Sequence, residues 1–306
     1  MQWKKIQEVR VADYNSSLYG SHMQLPTPLV LGENRVRVFF ANRGQEQKSY
    51  VFYIDLLYDD AKSQFSIFDA PKGPVLMPGD IGCFDEFGVF PSSIVKHDDC
   101  FYMFYIGWVR GFEAPMFYSS IGLATSVDGA VFTKCGKAPI LARSEHDPCL
   151  VTSPHVFRDV DVWRMTYVSG TKWDRNPQGA LQSHYHIKST SSSDLQNWQS
   201  TGDIAIDYRK NETNIARSTV VKLKDTYHMW FSYVAEGIKQ YRIGYATSSD
   251  FKNWKRDDKK TTIQLDSELC QKATCYPATF FLNGKYFMLY NGDNFGIDGF
   301  CIAIQD

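Results

Sequence analysis

The acidic side chains that could carry acid–base chemistry stand at recurring places in this sequence. Asp85 and Glu86 lie just ahead of Pro91, Glu145 and Asp147 ahead of Pro154, Glu212 ahead of Ser218, and Glu268 ahead of Pro277. Two carboxyls facing one bond, one protonated and one ionised, are the equipment of general acid–base catalysis. Asp85, Glu86, Asp147 and Glu212 are therefore the candidate catalytic residues. The matching place ahead of Pro28 reads His22-Met23-Gln24-Leu25-Pro26-Thr27 and holds no carboxylate. Arg217 stands where a planar guanidinium could meet phosphate oxygens, or pair with Glu212 or a neighbouring carboxylate. Trp108 and Trp173 could stack on a ligand or pack between structural units. His22, Tyr276, Asn291 and Asp293 complete the candidate binding set.

Metal and cofactor chemistry finds little support. His184-x-His186 puts two imidazoles on one face of a strand, but no third ligand is fixed by spacing. The run Asp293 to Gly299 resembles part of a calcium loop without its closing acidic ligand. No phosphate loop, dinucleotide fingerprint or Gly-x-Ser-x-Gly elbow is present. The sequence predicts no metal and no cofactor.

The candidates are tied together by a repeat. A Pro or Ser opens a short apolar strand, a turn follows, and then an aromatic-rich strand. Pro28-Leu29-Val30 leads to Val36–Phe40, Pro91–Val95 to Phe101–Trp108, and Pro154–Phe157 to Trp163–Gly170. Ser218–Val221 leads to Tyr227–Tyr233, and Pro277–Phe280 to Tyr286–Gly292. The anchors 28, 91, 154, 218 and 277 are 63, 63, 64 and 59 residues apart. Third strands such as Ile121–Ser126, Ile187–Ser191 and Ile243–Ser248 run into Asp128, Asp194 and Asp250, a turn signal. Phe132–Lys134, Trp198-Gln199 and Trp254–Arg256 read as fourth strands. Four strands per radial repeat is the plan of a propeller blade. The last copy stops at its third strand, Phe300–Ala303, and Trp3–Ile6 resembles a fourth strand. The expectation is an all-β, five-bladed β-propeller of four-stranded antiparallel blades, one domain over residues 1–306, with the N-terminal strand closing the last blade.

Composition narrows the partners. Apolar residues make up 43% of the 306 and charged residues 22%, which excludes a disordered chain. The aromatic share of 15% suits strands. A net charge of −1 without long charged runs speaks against nucleic acid or an anionic membrane as partner. The N-terminal residues hold no apolar run of signal-peptide length, and Phe101–Val109 is about half a membrane span. The seven cysteines are odd in number and lack a CxxC pair, so the expectation is reduced thiols in the cytoplasm.

With the repeats aligned, the chain resembles the five-bladed glycosidase superfamily of arabinanases, xylosidases, fructosidases and mannoside phosphorylases. It is most similar to a branch associated with bacterial surface-polysaccharide genes. The marks are Phe84–Ser92, Tyr105–Trp108, Tyr241–Ala246, Cys275-Tyr276-Pro277 and Tyr290–Gly296. The resemblance implies that residues ahead of each anchor converge at one mouth of a central channel and bind sugar there. His22 and Gln24, Asp85 and Glu86, Glu145 and Asp147, Glu212 and Arg217, and Glu268, Gln271 and Tyr276 would then meet. Arabinanase-type hydrolysis takes its base from the first blade, its modulating Asp from the second and its acid from the third. Blade one departs from that pattern, so three readings follow. The chain is a hydrolase with its base from another blade, a phosphorylase- or transferase-type enzyme on a phosphorylated or nucleotide-activated sugar, or a non-catalytic sugar-binding or scaffold propeller. The implied partner is a carbohydrate or sugar phosphate.

Overall fold

The computed structural model describes residues 2–44, 46–200, 202–235 and 240–305. The N-terminal strand β1 (Trp3–Arg10) precedes a first antiparallel unit of β2 (Ser21–Val30), β3 (Arg35–Arg43), β4 (Ser49–Asp59) and β5 (Gln64–Leu76). Next come β6 (Gly88–His97), β7 (Cys100–Arg110), β8 (Phe117–Ser126) and β9 (Thr133–Lys134). The following two units are β10 (Leu150–Asp159), β11 (Val162–Arg175), β12 (Leu181–Ser192) and β13 (Asp203–Ile206), then β14 (Glu212–Leu223), β15 (Thr226–Ala235), β16 (Tyr241–Ser248) and β17 (Lys255–Arg256). Last are β18 (Cys275–Leu282), β19 (Lys285–Asn291) and β20 (Gly299–Gln305). β20 pairs antiparallel with β1, Trp3 opposite Gln305 and Arg10 opposite Gly299. Among the described residues no helix is long and apolar enough to cross a membrane.

Burial falls from the first strand of a unit to its last. β2 is buried along most of its length, whereas β5 is largely exposed. The first strands touch one another in the order β2, β6, β10, β14, β18 and again β2. Between units lie apolar cores. Phe39, Val89, Met103 and Tyr105 fill one, and Val36, Phe40, Phe52, Phe280, Phe287 and Phe300 fill the one between the last unit and the first. A buried Phe or Leu contributes about 1.5–3 kcal/mol, so these seams fix neighbouring units face to face.

The Ser-x-Asp turns form as the sequence predicts. Asp194 accepts the Gln196 and Asn197 N–H groups, and Asp250 accepts those of Lys252 and Asn253. These donors hold both carboxyls well below the usual carboxylate range. One expected element moves. Trp198 lies in the loop with its indole donating to the Leu195 carbonyl, and the fourth strand of that unit is Asp203–Ile206. The apolar ring fills the seam beside Phe104 from a loop, so its strand-like residue type misleads.

Each first strand carries a β-bulge at an equivalent point. The register shifts between Gln24 and Thr27, Pro91 and Ser93, Thr152 and His155, Ala216 and Ser218, and Cys275 and Ala278. Bulges bend a strand and re-aim a side chain. The residues re-aimed include Leu25, Ser92, Ser153, Arg217 and Tyr276; Leu25, Ser153 and Tyr276 adopt positive φ values of 57°, 50° and 58°.

Candidate functional site

The bulged ends converge. Arg217 crosses from β14 and donates through Nη2 to Thr27 Oγ1 on β2 at 2.8 Å and to the Ser92 carbonyl on β6 at 3.1 Å. Thr27 in turn donates to the Leu25 carbonyl at 2.9 Å. Arg217 also lines a cavity of about 80 Å³ with Thr27, Ser92, His155, Ser218 and Thr279 among others. Its hydroxyls are largely used between strands: Ser92 donates to the Pro154 carbonyl and Thr219 bonds Thr279.

Close to Arg217 stands an aromatic cluster that includes Tyr276. Leu25 and Phe90 pack with Trp108 and Tyr276. Tyr276 stacks on Phe295 with centroids 6.2 Å apart and lies 5.8 Å from the Tyr241 ring. The Tyr241 hydroxyl bonds that of Tyr185. Phe295 is 43% exposed, so this wall reaches solvent. On the β2 side Arg43 donates to Gln24 Oε1 at 2.9 Å. His22 is bonded to Ser21 Oγ through Nδ1. Burial, aided by the Arg43 charge, pushes the His22 imidazole down to about 4, so it is neutral at pH 7.

Three of the four catalytic candidates, Asp85, Asp147 and Glu212, are each paired with a cation. Asp85 is 2% exposed and accepts from Lys134 Nζ at 2.6 Å and from the Tyr105 hydroxyl at 3.1 Å. Asp147 is fully buried and accepts from Lys188 Nζ at 3.0 Å and the Tyr167 hydroxyl at 3.4 Å. Glu212 takes both Arg256 Nη groups at 2.7 Å. Burial and the adjacent carboxylates hold the Tyr105 and Tyr167 phenols well above their ordinary value. Glu86 is half-buried and accepts the Gly82 N–H at 2.5 Å. Glu145 and Glu268 are exposed, the latter bonded to Arg10.

Three binding candidates have other employment. Asn291 is fully buried; it accepts the Leu25 N–H at 2.8 Å and donates to the Met23 and Gly299 carbonyls, which pins the start of β2. Asp293 accepts the N–H groups of Lys272 and Ala273 at 2.8 Å each. Trp173 packs edge-on against Phe117, centroids 5.9 Å apart, which is the seam-packing alternative. Trp108 donates to Ser49 Oγ at 2.9 Å while its ring lines the mouth wall. His184 and His186 bond Asp174 and Asp207 separately, and no group of three metal-binding side chains occurs among the described residues.

Sequence reasoning missed Arg43, Tyr185, Tyr241, Phe295 and the cations Lys134, Lys188 and Arg256. For two of the cations a signal existed. Lys134 and Arg256 occupy the same place, opposite Ala124 and Ala246 on the third strand of their units, and each pairs with a carboxylate at or just before the start of its unit's first strand.

No protein-family model matches the chain. Mycobacterium tuberculosis (strain H37Rv) "Uncharacterized protein Rv1502" is 31% identical over 312 residues, covering 100% of both chains, and the CDC 1551 strain protein MT1551 matches equally. Among solved structures, a glycoside hydrolase superposes with a TM-score of 0.69 at 16% identity, over 95% of this chain and 89% of that one. An endo-arabinase from Bacteroides thetaiotaomicron gives 0.64 at 12% identity, over 95% and 98%. The chain therefore belongs to one family with the M. tuberculosis protein, and its fold is that of the propeller glycosidases.

Proposed function

We propose that the chain is a single five-bladed propeller over residues 1–306 whose mouth binds a glycosyl unit in bacterial surface-polysaccharide metabolism. The cyclic neighbouring of the first strands, the β1–β20 pairing and the apolar seam between last unit and first support the ring. The observation that carries the binding reading is the aromatic wall of Trp108, Tyr276, Tyr241 and Tyr185 at the convergent bulges. Aromatic faces take the C–H faces of sugars, and phenolic hydroxyls supply the directional bonds. The fold of the arabinase and the motifs shared with the polysaccharide-associated branch support the ligand class. The seven cysteines are free thiols, which supports a reducing cytoplasmic setting.

The committed carboxylates favour binding over arabinanase-type hydrolysis. That chemistry needs two carboxyls free to move protons, and Asp85, Asp147 and Glu212 are each held by an internal cation. The test is a calorimetric and thermal-shift screen of monosaccharides and oligosaccharides with the wild type and with Trp108→Ala and Tyr276→Ala. Saturable binding weakened about tenfold or more by either variant is expected, since an aromatic contact supplies about 0.5–1.5 kcal/mol beyond its buried area. Binding indifferent to both variants would sink the mouth as the site. Turnover of any bound glycan that Glu86→Gln abolishes would restore the enzymatic reading.

A further inference from the structure

The mouth is cationic, and the charge has no internal answer. Among the described residues neither Arg43 nor Arg217 makes an ion pair with a carboxylate. Every other buried cation discussed above has one: Lys134 has Asp85, Lys188 has Asp147, and Arg256 has Glu212 and Asp258. Arg217 is 2% exposed, and its Nη1 has no hydrogen-bond partner; Arg43 Nε is likewise buried and unpartnered. Buried charges are ordinarily paired, because desolvation without a partner is costly. Two exceptions side by side point outside the molecule.

The two guanidiniums hang on one strand. Arg43 bonds Gln24 and Arg217 bonds Thr27, three positions along β2. The bulge between those two positions, with Leu25 at φ 57°, breaks the extended run of the strand there. Between them Leu25 packs against the rings of Trp108 and Tyr276. The Tyr276 phenol feels both the Arg43 and the Arg217 charge, so a ligand against that ring meets both cations.

Resting on the reading of this mouth as the glycosyl site, we infer that its ligand carries a phosphoryl group. Charge matching selects this over a carboxylate. His22 is neutral at pH 7, so the described mouth groups carry two positive charges, and a phosphate monoester carries close to two negative ones. The half-buried Arg43 makes the direct contact. Arg217 lies beneath the surface and acts through its unscreened charge, which in a water-poor site reaches further than in bulk.

The experiment uses the full chain and inorganic phosphate as a probe that does not depend on sugar identity. Thermal shift and calorimetry are run at constant ionic strength against chloride, then with hexose 1- and 6-phosphates, the parent hexoses and glucuronate. Saturable phosphate binding is expected, and so is tighter binding of at least one hexose phosphate. Arg43→Gln weakens both by about 10- to 100-fold, the scale of a charge-assisted hydrogen bond. Arg217→Met does the same without changing the aromatic wall. A response to phosphate equal to that of chloride, or one unchanged in both variants, overturns the inference, as does preference for glucuronate over the phosphates. Neutral hexose binding that depends on Trp108 and ignores both arginines overturns the phosphoryl group alone and leaves the glycosyl reading standing. Phosphate binding to which no sugar adds affinity supports the anion site and removes the glycosyl reading.

Discussion

Replacing Arg217 by Met should make the protein more stable. The guanidinium is 2% exposed and makes no ion pair among the described residues, and burial pushes it down to about 9. Keeping an unpaired ion at a buried site costs several kcal/mol, on the order of 5. Against this stand the hydrogen bonds to Thr27 and Ser92. Their loss costs roughly 1–3 kcal/mol together, chiefly from the Ser92 carbonyl left without that donor. Met fills similar space with apolar atoms, so the net gain is about 2–4 kcal/mol, in the range seen when buried ionic groups are replaced by hydrophobes. A rise in Tm of about 3–6 °C follows for a chain of 306 residues. The sign has a pH signature. Below about 9 both folded and unfolded chains hold the proton and the full penalty is present. Above it the unfolded chain binds a proton that the folded chain lacks, so wild-type stability rises with pH and the variant's advantage shrinks. Differential scanning calorimetry and urea unfolding at pH 7 and pH 10 measure this. A variant that melts several degrees below wild type at pH 7 would refute the reasoning and make Arg217 a strut across the channel.

Deleting residues 1–10 removes the partner of β20 and the buried side chains of Trp3 and Val9; cooperative unfolding should be lost, and an unchanged melting curve would refute the closing role of β1. All seven cysteines should titrate as free thiols in denaturant without reductant, and two or more stable disulfides in fresh protein would overturn the reducing-compartment assignment. Mild oxidation should first link Cys270 and Cys301, whose sulfurs lie 3.4 Å apart, and peptide mapping after diamide checks the pairing. Asp147→Asn leaves Lys188 buried without its counter-charge and should cost about 3–5 kcal/mol, most of it recovered by adding Lys188→Met; full stability with lost function would instead mark Asp147 as catalytic.

The repeat was legible because each strand pattern is local. Anchor, turn and aromatic strand lie within about twenty residues of one another, the range over which alternation and turn chemistry speak. The pairing of Trp3–Arg10 with the last strand was legible for the same reason, from the likeness of Trp3–Ile6 to a fourth strand. What the sequence did not display was long-range pairing. Asp85 and Lys134 are 49 residues apart, Asp147 and Lys188 are 41, and Glu212 and Arg256 are 44. A carboxylate read without its cation looks available. Arg43 was invisible for the opposite reason: its distinction is the absence of a partner, which no spacing displays. Trp198 shows the limit of residue type, since a buried ring serves a seam as well from a loop as from a strand.

The same repetition explains why the proposed site rests on cations and rings, since three of the four acidic candidates are held by internal cations. A general base needs a lone pair directed at substrate, and a general acid needs a proton to give there. Asp85 and Asp147 lie at equivalent points of their units, each receiving a lysine ammonium and a tyrosine hydroxyl, and Glu212 receives both arms of a guanidinium. One such arrangement could be a catalytic group with a modulating neighbour. Three successive units making it, each with a cation from its own sheet, describe a device that fastens the entry segment to the blade. A buried carboxylate stripped of that cation would be strongly destabilising, so the pairs must persist whether or not ligand is bound. Charges that folding has already neutralised offer little to a ligand. The two guanidiniums of this region left without a carboxylate among the described residues, Arg43 and Arg217, stand beside the aromatic wall, which is why the proposed recognition rests on cations and rings.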